Sequence, residues 1–475
     1  MPDKIVVNGM VWGRKEPLVK PIEYDDFVRA MIDALGRDKE YFRTETAFGT
    51  GAMVSRFAFE SFRVPNLNDP LEVKWALLLP PKNAESEAIA SALDPLVQHR
   101  QGQVIFSPTD QGTAIRENWI TDHYSYMDDA DRPYYVMLAG DLSAIPFRFQ
   151  YLLDIQAAVG RLSFDRIEDY AAYAKKVVDF ETQDTASVEK KAVFFATEHN
   201  TSDATFLSRN YMVEPLIKRL EGKNIKVSHR LGTEATLDEL LKLFQGDGVS
   251  PAPALVYTAS HGLGVPGTTK EDEETRRKLQ GALVCQDYDG QSGVFSADEV
   301  PANSFLHGSI MVTFACYGAG TPMQSDFFHW IRYPSLLNCR PAIDFIGALP
   351  NKLLAHPQGP LAFFGHLDPA WVYSFADQDR IADDTGWGSR MSPFRQAVDY
   401  IIQGATIGYA VKKFNEVYAT LSSKLATIED GFRRDAARGE NPKWTRDLID
   451  VWMTRNDTQN FIVLGDPAVR AKMAS

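Results

Sequence analysis

Residues 309–320 read S-I-M-V-T-F-A-C-Y-G-A-G. The uncharged run of Ile, Met, Val and Phe suits a strand buried on both faces, and the glycines beyond Cys316 suit a turn at its end. That reading puts a thiol at the C-terminal edge of a sheet. Residues 254–262, A-L-V-Y-T-A-S-H-G, repeat the design with His261 at the strand end and a glycine after it. Neighbouring parallel strands lie roughly 5 Å apart, so residues just past the ends of two such strands come within reach of each other. A thiol and an imidazole so placed make a nucleophile and its base. Acyl transfer also needs two donors aimed at an oxyanion. The main-chain N–H groups of Gly262 and Cys316 are the candidates, because glycine leaves the approach open.

Composition bounds this reading. The chain has 475 residues, 44% of them hydrophobic, enough for two or three domains or one large composite unit. A formal charge of −13 argues against a nucleic-acid partner or an anionic membrane surface. The opening M-P-D-K-I-V-V-N-G-M has no apolar leader, and no window supplies the roughly 18 apolar residues of a membrane span. Three cysteines, Cys285, Cys316 and Cys339, are too few and too odd in number for a disulfide framework. A cytoplasmic protein is expected. There is no G-x-x-x-x-G-K-[ST], no G-x-G-x-x-G after a strand, and no CxxC or HExxH, so ATP, dinucleotide and zinc chemistry lack their anchors and no cofactor is expected.

Outward from the two strands, the pattern is α/β. Residues 1–70 carry a Gly49–Gly51 turn signal and Phe/Arg alternation over Ser55–Arg63, with no motif attached to chemistry. From Leu71, strands at 73–79, 103–106 and 134–141 alternate with helices near 84–98 and 113–127. A strand over 154–163 and an amphipathic helix from Asp165 to about Glu181, capped by Ser163 or Asp165, follow. The polar stretch T-Q-D-T-A-S-V-E-K-K marks a subdomain boundary. A second alternating run has strands at 192–197 and 224–229, helices near 205–221 and 236–245, and then the His261 and Cys316 strands. The charged insertion over 267–281 reads as a solvated loop or short helix, or as a processing loop around Arg276, Arg277 and Lys278. Beyond Cys316 come a helix near 322–338, a strand at 360–365, a long helix over 393–433 with breaks at Gly404 and Gly408, and a last strand in F-I-V-L-G-D-P-A-V. Alternating strands and helices imply parallel sheets with helices on both faces. The expected domains are therefore 1–70, of unknown role, a first α/β subdomain over 71–185, and a second over 186–475 carrying Cys316 and His261.

Y-T-A-S-H-G and V-T-F-A-C-Y-G-A-G resemble the His-Gly and Cys elements of the gingipain-type, caspase-like cysteine peptidases. Four further stretches agree in the family's order: Y-V-M-L-A-G-D-L-S-A-I-P (135–146), A-V-G-R-L-S, P-L-A-F-F-G-H-L-D-P-A-W, and the terminal F-I-V-L-G-D-P-A-V. The resemblance covers residues from about 133 onward. It implies a caspase-like α/β/α sandwich of two side-by-side, mostly parallel sheets, and endopeptidase activity with Cys316 as nucleophile and His261 as general base. By the same resemblance Glu198 orients the histidine, and Trp371 lines the pocket for the residue before the scissile bond. Arg209 stands where arginine-cleaving relatives carry an acid at the base of that pocket. A guanidinium there repels basic side chains, so an acidic or neutral residue is expected instead.

Calcium is a structural ion in some relatives, and no ligand cluster here compels it. Without the signal and extra domain of secreted relatives, the expectation is an intracellular cysteine endopeptidase with restricted protein targets, residues 1–70 being where a regulatory partner would dock. The alternative is a catalytically silent or partner-activated interaction module on the same fold. Transfer of the acyl group to an amine is a third use of the same thioester.

Overall fold

The buried apolar runs assemble into one ten-stranded sheet. The computed structural model describes residues 4–37, 66–108, 115–184, 187–246, 251–304, 306–327, 331, 333–375, 389–439 and 445–473. In spatial order the strands are Gln103–Phe106, Trp75–Leu79, Tyr135–Ala139, Ala158–Leu162, Phe461–Gly465, Ala362–His366, Ile310–Phe314, Pro253–Ala259, Glu189–Ala196 and Lys226–Leu231. Every pairing is parallel except that of Phe461–Gly465 with Ala362–His366. Two five-stranded parallel sets therefore meet at one antiparallel joint. The two side-by-side sheets expected from the sequence are the halves of this single sheet, joined by the C-terminal strand.

The joint has a consequence for the chemistry. Strands of the first set run opposite to those of the second, so the edge that receives the C-terminal ends of the His261 and Cys316 strands receives no strand C-terminus from residues 75–162. Burial follows the expected pattern. Val256, Phe194, Met311 and Phe363 are wholly buried, as both-face coverage by helices requires. Ala84–His99 and Ile167–Thr182 pack against each other, and the second buries Tyr170, Tyr173, Ala174, Val177 and Phe180 on one stripe.

Several local expectations shift. The cap of Ile167–Thr182 is Arg166, with no side-chain hydrogen bond, rather than Ser163 or Asp165. Among the described residues, the region 113–127 yields Asn118–Asp122 and a 3-10 turn over Tyr124–Tyr126, and 322–338 yields Pro334–Asn338. The 393–433 stretch divides into Ser392–Ile402, Ile407–Ala410 and Lys412–Ala437. Gly404, at φ +81°, makes the expected break, whereas Gly408 lies inside a helix turn. A Cβ on Gly408 would stand 2.8 Å from that of Ala158, so its role there is close approach. The charged insertion is a helix, Lys270–Leu279, opened by a Thr269–Asp272 capping box. Arg276 on it is buried and donates to the carbonyls of Val265 (3.1 Å) and Gly267 (2.7 Å). The Gly49–Gly51 and Ser55–Arg63 signals lie outside the described residues. No described helix is long and apolar enough to cross a membrane.

The G-D-P turn after the last strand ties the C-terminal strand to the N-terminal elements of the first half of the sheet. Asp466 is fully buried; its carboxylate accepts from Trp75 Nε1 at 2.9 Å and from Arg100 Nε at 2.8 Å. Arg100 reaches Glu181 with its other nitrogens, 2.7 Å from Nη2 to Oε1. Losing one partner of a buried pair strands the other charge. Asp466→Ala is expected to destabilise the fold by about 3–5 kcal/mol, read as a fall in the urea midpoint. A second expectation concerns acid. Burial disfavours the Glu181 carboxylate, but the Arg100 charge and the His99 hydrogen bond override it and hold its pKa down at about 2, against an ordinary 4.5. A depressed folded pKa contributes stability that is complete above the ordinary value and is lost as the pH falls through the folded one. Between about pH 4.5 and 2, wild type should lose more stability than Glu181→Gln in parallel urea titrations.

Candidate active site

The two central strands set the site by register. Leu255 pairs with Ile310 and so on to Ala259 with Phe314, so His261 and Cys316 each stand two residues past a matched pair. Beyond Ala259 the chain leaves the large sheet. His261–Gly264 joins a four-stranded sheet, between Leu283–Val284 (antiparallel) and Gly9–Val11 (parallel). That departure crosses the Cys316 backbone. A Cβ on Gly262 would lie 1.8 Å from Cys316 O, so no other residue fits at this crossing. Tyr317, at φ +58°, then turns the chain away and donates its N–H to Asp368 O at 3.0 Å.

The crossing aims two amides at one point. Gly262 N–H (2.9 Å) and Cys316 N–H (3.0 Å) both donate to the carbonyl oxygen of Asn8. Asn8 N–H donates to Ala370 O at 2.9 Å, and Ala370 N–H donates to Cys316 Sγ at 3.1 Å. The thiol is wholly buried, and this burial holds it well above its ordinary pKa against the help of the Ala370 N–H.

His261 is also wholly buried. Its Nε2 meets Asp203 at 2.8 Å (Oδ1) and 3.0 Å (Oδ2), while Nδ1 takes no hydrogen bond among the described residues. Asp203 caps the short helix Ala204–Ser208, accepting from the Thr205 N–H (2.8 Å) and hydroxyl (2.6 Å). Burial would raise the Asp203 carboxyl, but His261 and these donors hold it below the usual carboxylate range. His199 stacks on His261 at 5.3 Å, and burial, then the neighbouring His261, push its pKa down to about 4. It is neutral at pH 7.

The remaining expected residues divide differently. Glu198, expected to orient His261, is ion-paired with Arg209, and the acid at His261 is Asp203. The reason is direction: Glu198 follows the strand Glu189–Ala196, and its side chain turns to the outer neighbour, where Gly232 leaves room. Arg209 is engaged by Glu198 and, at 3.1 Å, by Glu214, so it offers no unneutralised cation. Trp371 pairs its backbone with Val7, while its ring packs between Phe27 and Phe327 at 6.2 and 5.6 Å.

Three contributors escaped the sequence reading. The polar run before a helix, N-T-S-D-A-T, carries an N-cap signal that could have nominated Asp203. Nothing local marks Asn8 or Ala370. The loop bearing Ala370 is held from behind by Asp457, which meets His366 Nε2 at 2.9 Å and accepts the Trp371 N–H at 3.2 Å. The H-L-D-P-A-W stretch thus serves to seat the thiol. Among the described residues, no group of three or more His, Cys, Asp and Glu is placed to hold a metal ion.

No curated protein matches the chain significantly. Among solved structures it is similar to the Arg-specific cysteine proteinase gingipain R, at 13% identity over 84% of this chain and 78% of that one, with a TM-score of 0.47. The complex of RgpB pro- and mature domains from Porphyromonas gingivalis gives 12% identity, 83% and 79% coverage, and 0.44. The Saccharomyces cerevisiae separase–securin complex gives 12%, 73% and 16%, and 0.31. The fold rests on the strand order above rather than on these distant likenesses. Residues 87–245 match the family model described as Peptidase family C25, which bears out the resemblance to gingipain-type peptidases read from the sequence.

Proposed function

We propose that the chain is a cysteine endopeptidase, with Cys316 as nucleophile, His261 as general base and Asp203 as the acid that orients it. The observation that carries this reading is the convergence of the Gly262 and Cys316 N–H groups on a single carbonyl oxygen, that of Asn8, beside a thiol. Their distances of 2.9 and 3.0 Å are those of an oxyanion cradle. Asp203 occupies Nε2 of the imidazole, which leaves the unpartnered Nδ1 to take the thiol proton. Sγ then attacks the substrate carbonyl, and the two amides stabilise the tetrahedral oxyanion. Nδ1–H protonates the leaving amine, and water hydrolyses the thioester. The match to Peptidase family C25 supports this class of reaction. Three free, buried cysteines suit a reducing compartment, in keeping with an intracellular enzyme of restricted targets.

Peptidyl acyloxymethyl ketones are expected to leave one adduct, on Cys316, read by intact mass. Cys316→Ala should take none, and peptide hydrolysis by His261→Ala should fall by about 10²–10⁴-fold. Asp203→Asn should lose activity by a factor approaching that of His261→Ala, whereas Glu198→Gln should stay within about threefold of wild type, because Asp203 alone holds the imidazole. Equal losses in the two acid variants would reject the role given to Asp203. An adduct spread over Cys285 and Cys339 would reject Cys316 as the nucleophile.

A further inference from the structure

The residues before and after Asn8 lie as a substrate would. On one side, Val7 pairs antiparallel with Trp371, and Val6 O accepts the Val372 N–H at 3.3 Å. On the other, Gly9, Met10 and Val11 run parallel to Gly262, Leu263 and Gly264. Beyond Val11 the segment folds back, Leu18 N–H donating to Gly9 O at 2.9 Å. A strand that merely completed a sheet would need only these ladder bonds. This one also puts its Asn8 carbonyl on both oxyanion donors, with Sγ 3.0 Å from where a Cβ of Gly9 would stand. A cleft of about 240 Å³ remains between Val6, Val7, Pro17 and Val19 and the loop bearing Asp203. The segment is otherwise well buried, Val6, Val7, Leu18 and Val19 among them.

The side chain of Asn8 reads as the occupant of a specificity pocket. It is wholly buried, and Nδ2 donates to Ser208 Oγ at 3.2 Å and to Ser260 O at 3.3 Å, while Oδ1 takes no hydrogen bond among the described residues. A carbonyl oxygen can only accept. Against Ser260 O an amide N–H₂ is matched and a carboxylate is repelled, so the pocket separates Asn from Asp although the two are nearly isosteric. For a basic side chain, the carboxylates of Glu198 and Glu214 are already taken by Arg209.

We infer that residues 4–23 are the enzyme's own first substrate: they block the cleft, present the Asn8–Gly9 bond to Cys316, and show that the pocket selects asparagine before the scissile bond. This rests on the peptidase reading. Sγ forms a thioester with the Asn8 carbonyl carbon as the bond to the Gly9 nitrogen breaks. The thiol proton passes through His261 to that nitrogen, and water releases the Asn8 carboxylate and restores the thiol. One water is consumed, and the chain is left beginning at Gly9 with the segment up to Asn8 free to leave the cleft.

The test uses the full chain as wild type, Cys316→Ala, Asn8→Asp and Asn8→Arg, each checked for folding by thermal melting. Incubated wild type should acquire a new N-terminus at Gly9 by mass and end-group sequencing. Cys316→Ala should stay whole, and Asn8→Asp should be cut at least about tenfold more slowly. Asn8→Arg cannot fill the pocket, so its Cys316 should label with a Val-Val-Asn acyloxymethyl ketone at least about tenfold faster than with the Val-Val-Asp or Val-Val-Arg analogue. Wild type that stays whole while Cys316 labels in Asn8→Arg overturns the inference and leaves the peptidase reading standing, as does labelling without preference for Asn. No adduct on Cys316 in any variant overturns both.

Discussion

Pairing of Ala259 with Phe314, at the ends of two wholly buried parallel strands, puts His261 and Cys316 the same distance beyond the sheet. Everything else at the site depends on that register. A slip of one residue would turn one of the two side chains to the opposite face and part them. The crossing at Gly262 follows from it, since the His261 strand can enter its second sheet only by passing over the Cys316 backbone, within the space that a missing Cβ leaves. Two amides then point to one oxygen because both belong to backbones that the crossing holds in contact.

Charge is arranged around this crossing in two separate groups. Asp203 is committed to His261 and to the Thr205 donors, while Glu198 and Glu214 are committed to Arg209. Neither set competes for the other's partner. Below the cleft, Asp457 links His366 to the Trp371 amide and so fixes the loop that presents Ala370 to both Asn8 and the thiol. Far from the site, Asp466 joins the end of the C-terminal strand to Trp75 and Arg100 within the first half of the sheet.

The first half of the sheet shows why His261 and Cys316 have no counterparts from it at their edge. Its strands have the same apolar runs, yet they run the other way, and their C-terminal ends lie at the opposite edge. Its motifs have structural work instead. Arg161 of the A-V-G-R-L-S stretch is buried and donates to Gln150 and to the carbonyls of Ile145 and Pro146, holding the turn in which the A-I-P of the neighbouring motif sits.

Much was legible in the residues alone. The apolar runs ending in His261-Gly and Cys316 named the strands, the thiol, the imidazole and the two amides, because burial on both faces and a glycine turn leave a signal within a dozen residues. The polar run before a short helix held a signal for Asp203 as well. What the sequence could not state were contacts that depend on separation in space. Glu198 and Asp203 are five residues apart, and which of them meets His261 is decided by the direction each side chain takes from its own strand or helix. Asn8 lies more than 250 positions from Gly262 and Cys316, in a stretch without a motif, so only the folded chain brings its carbonyl to their amides. The union of two expected sheets into one was likewise a tertiary outcome, because a strand's local pattern records its burial and not the direction of the neighbour it will pair with.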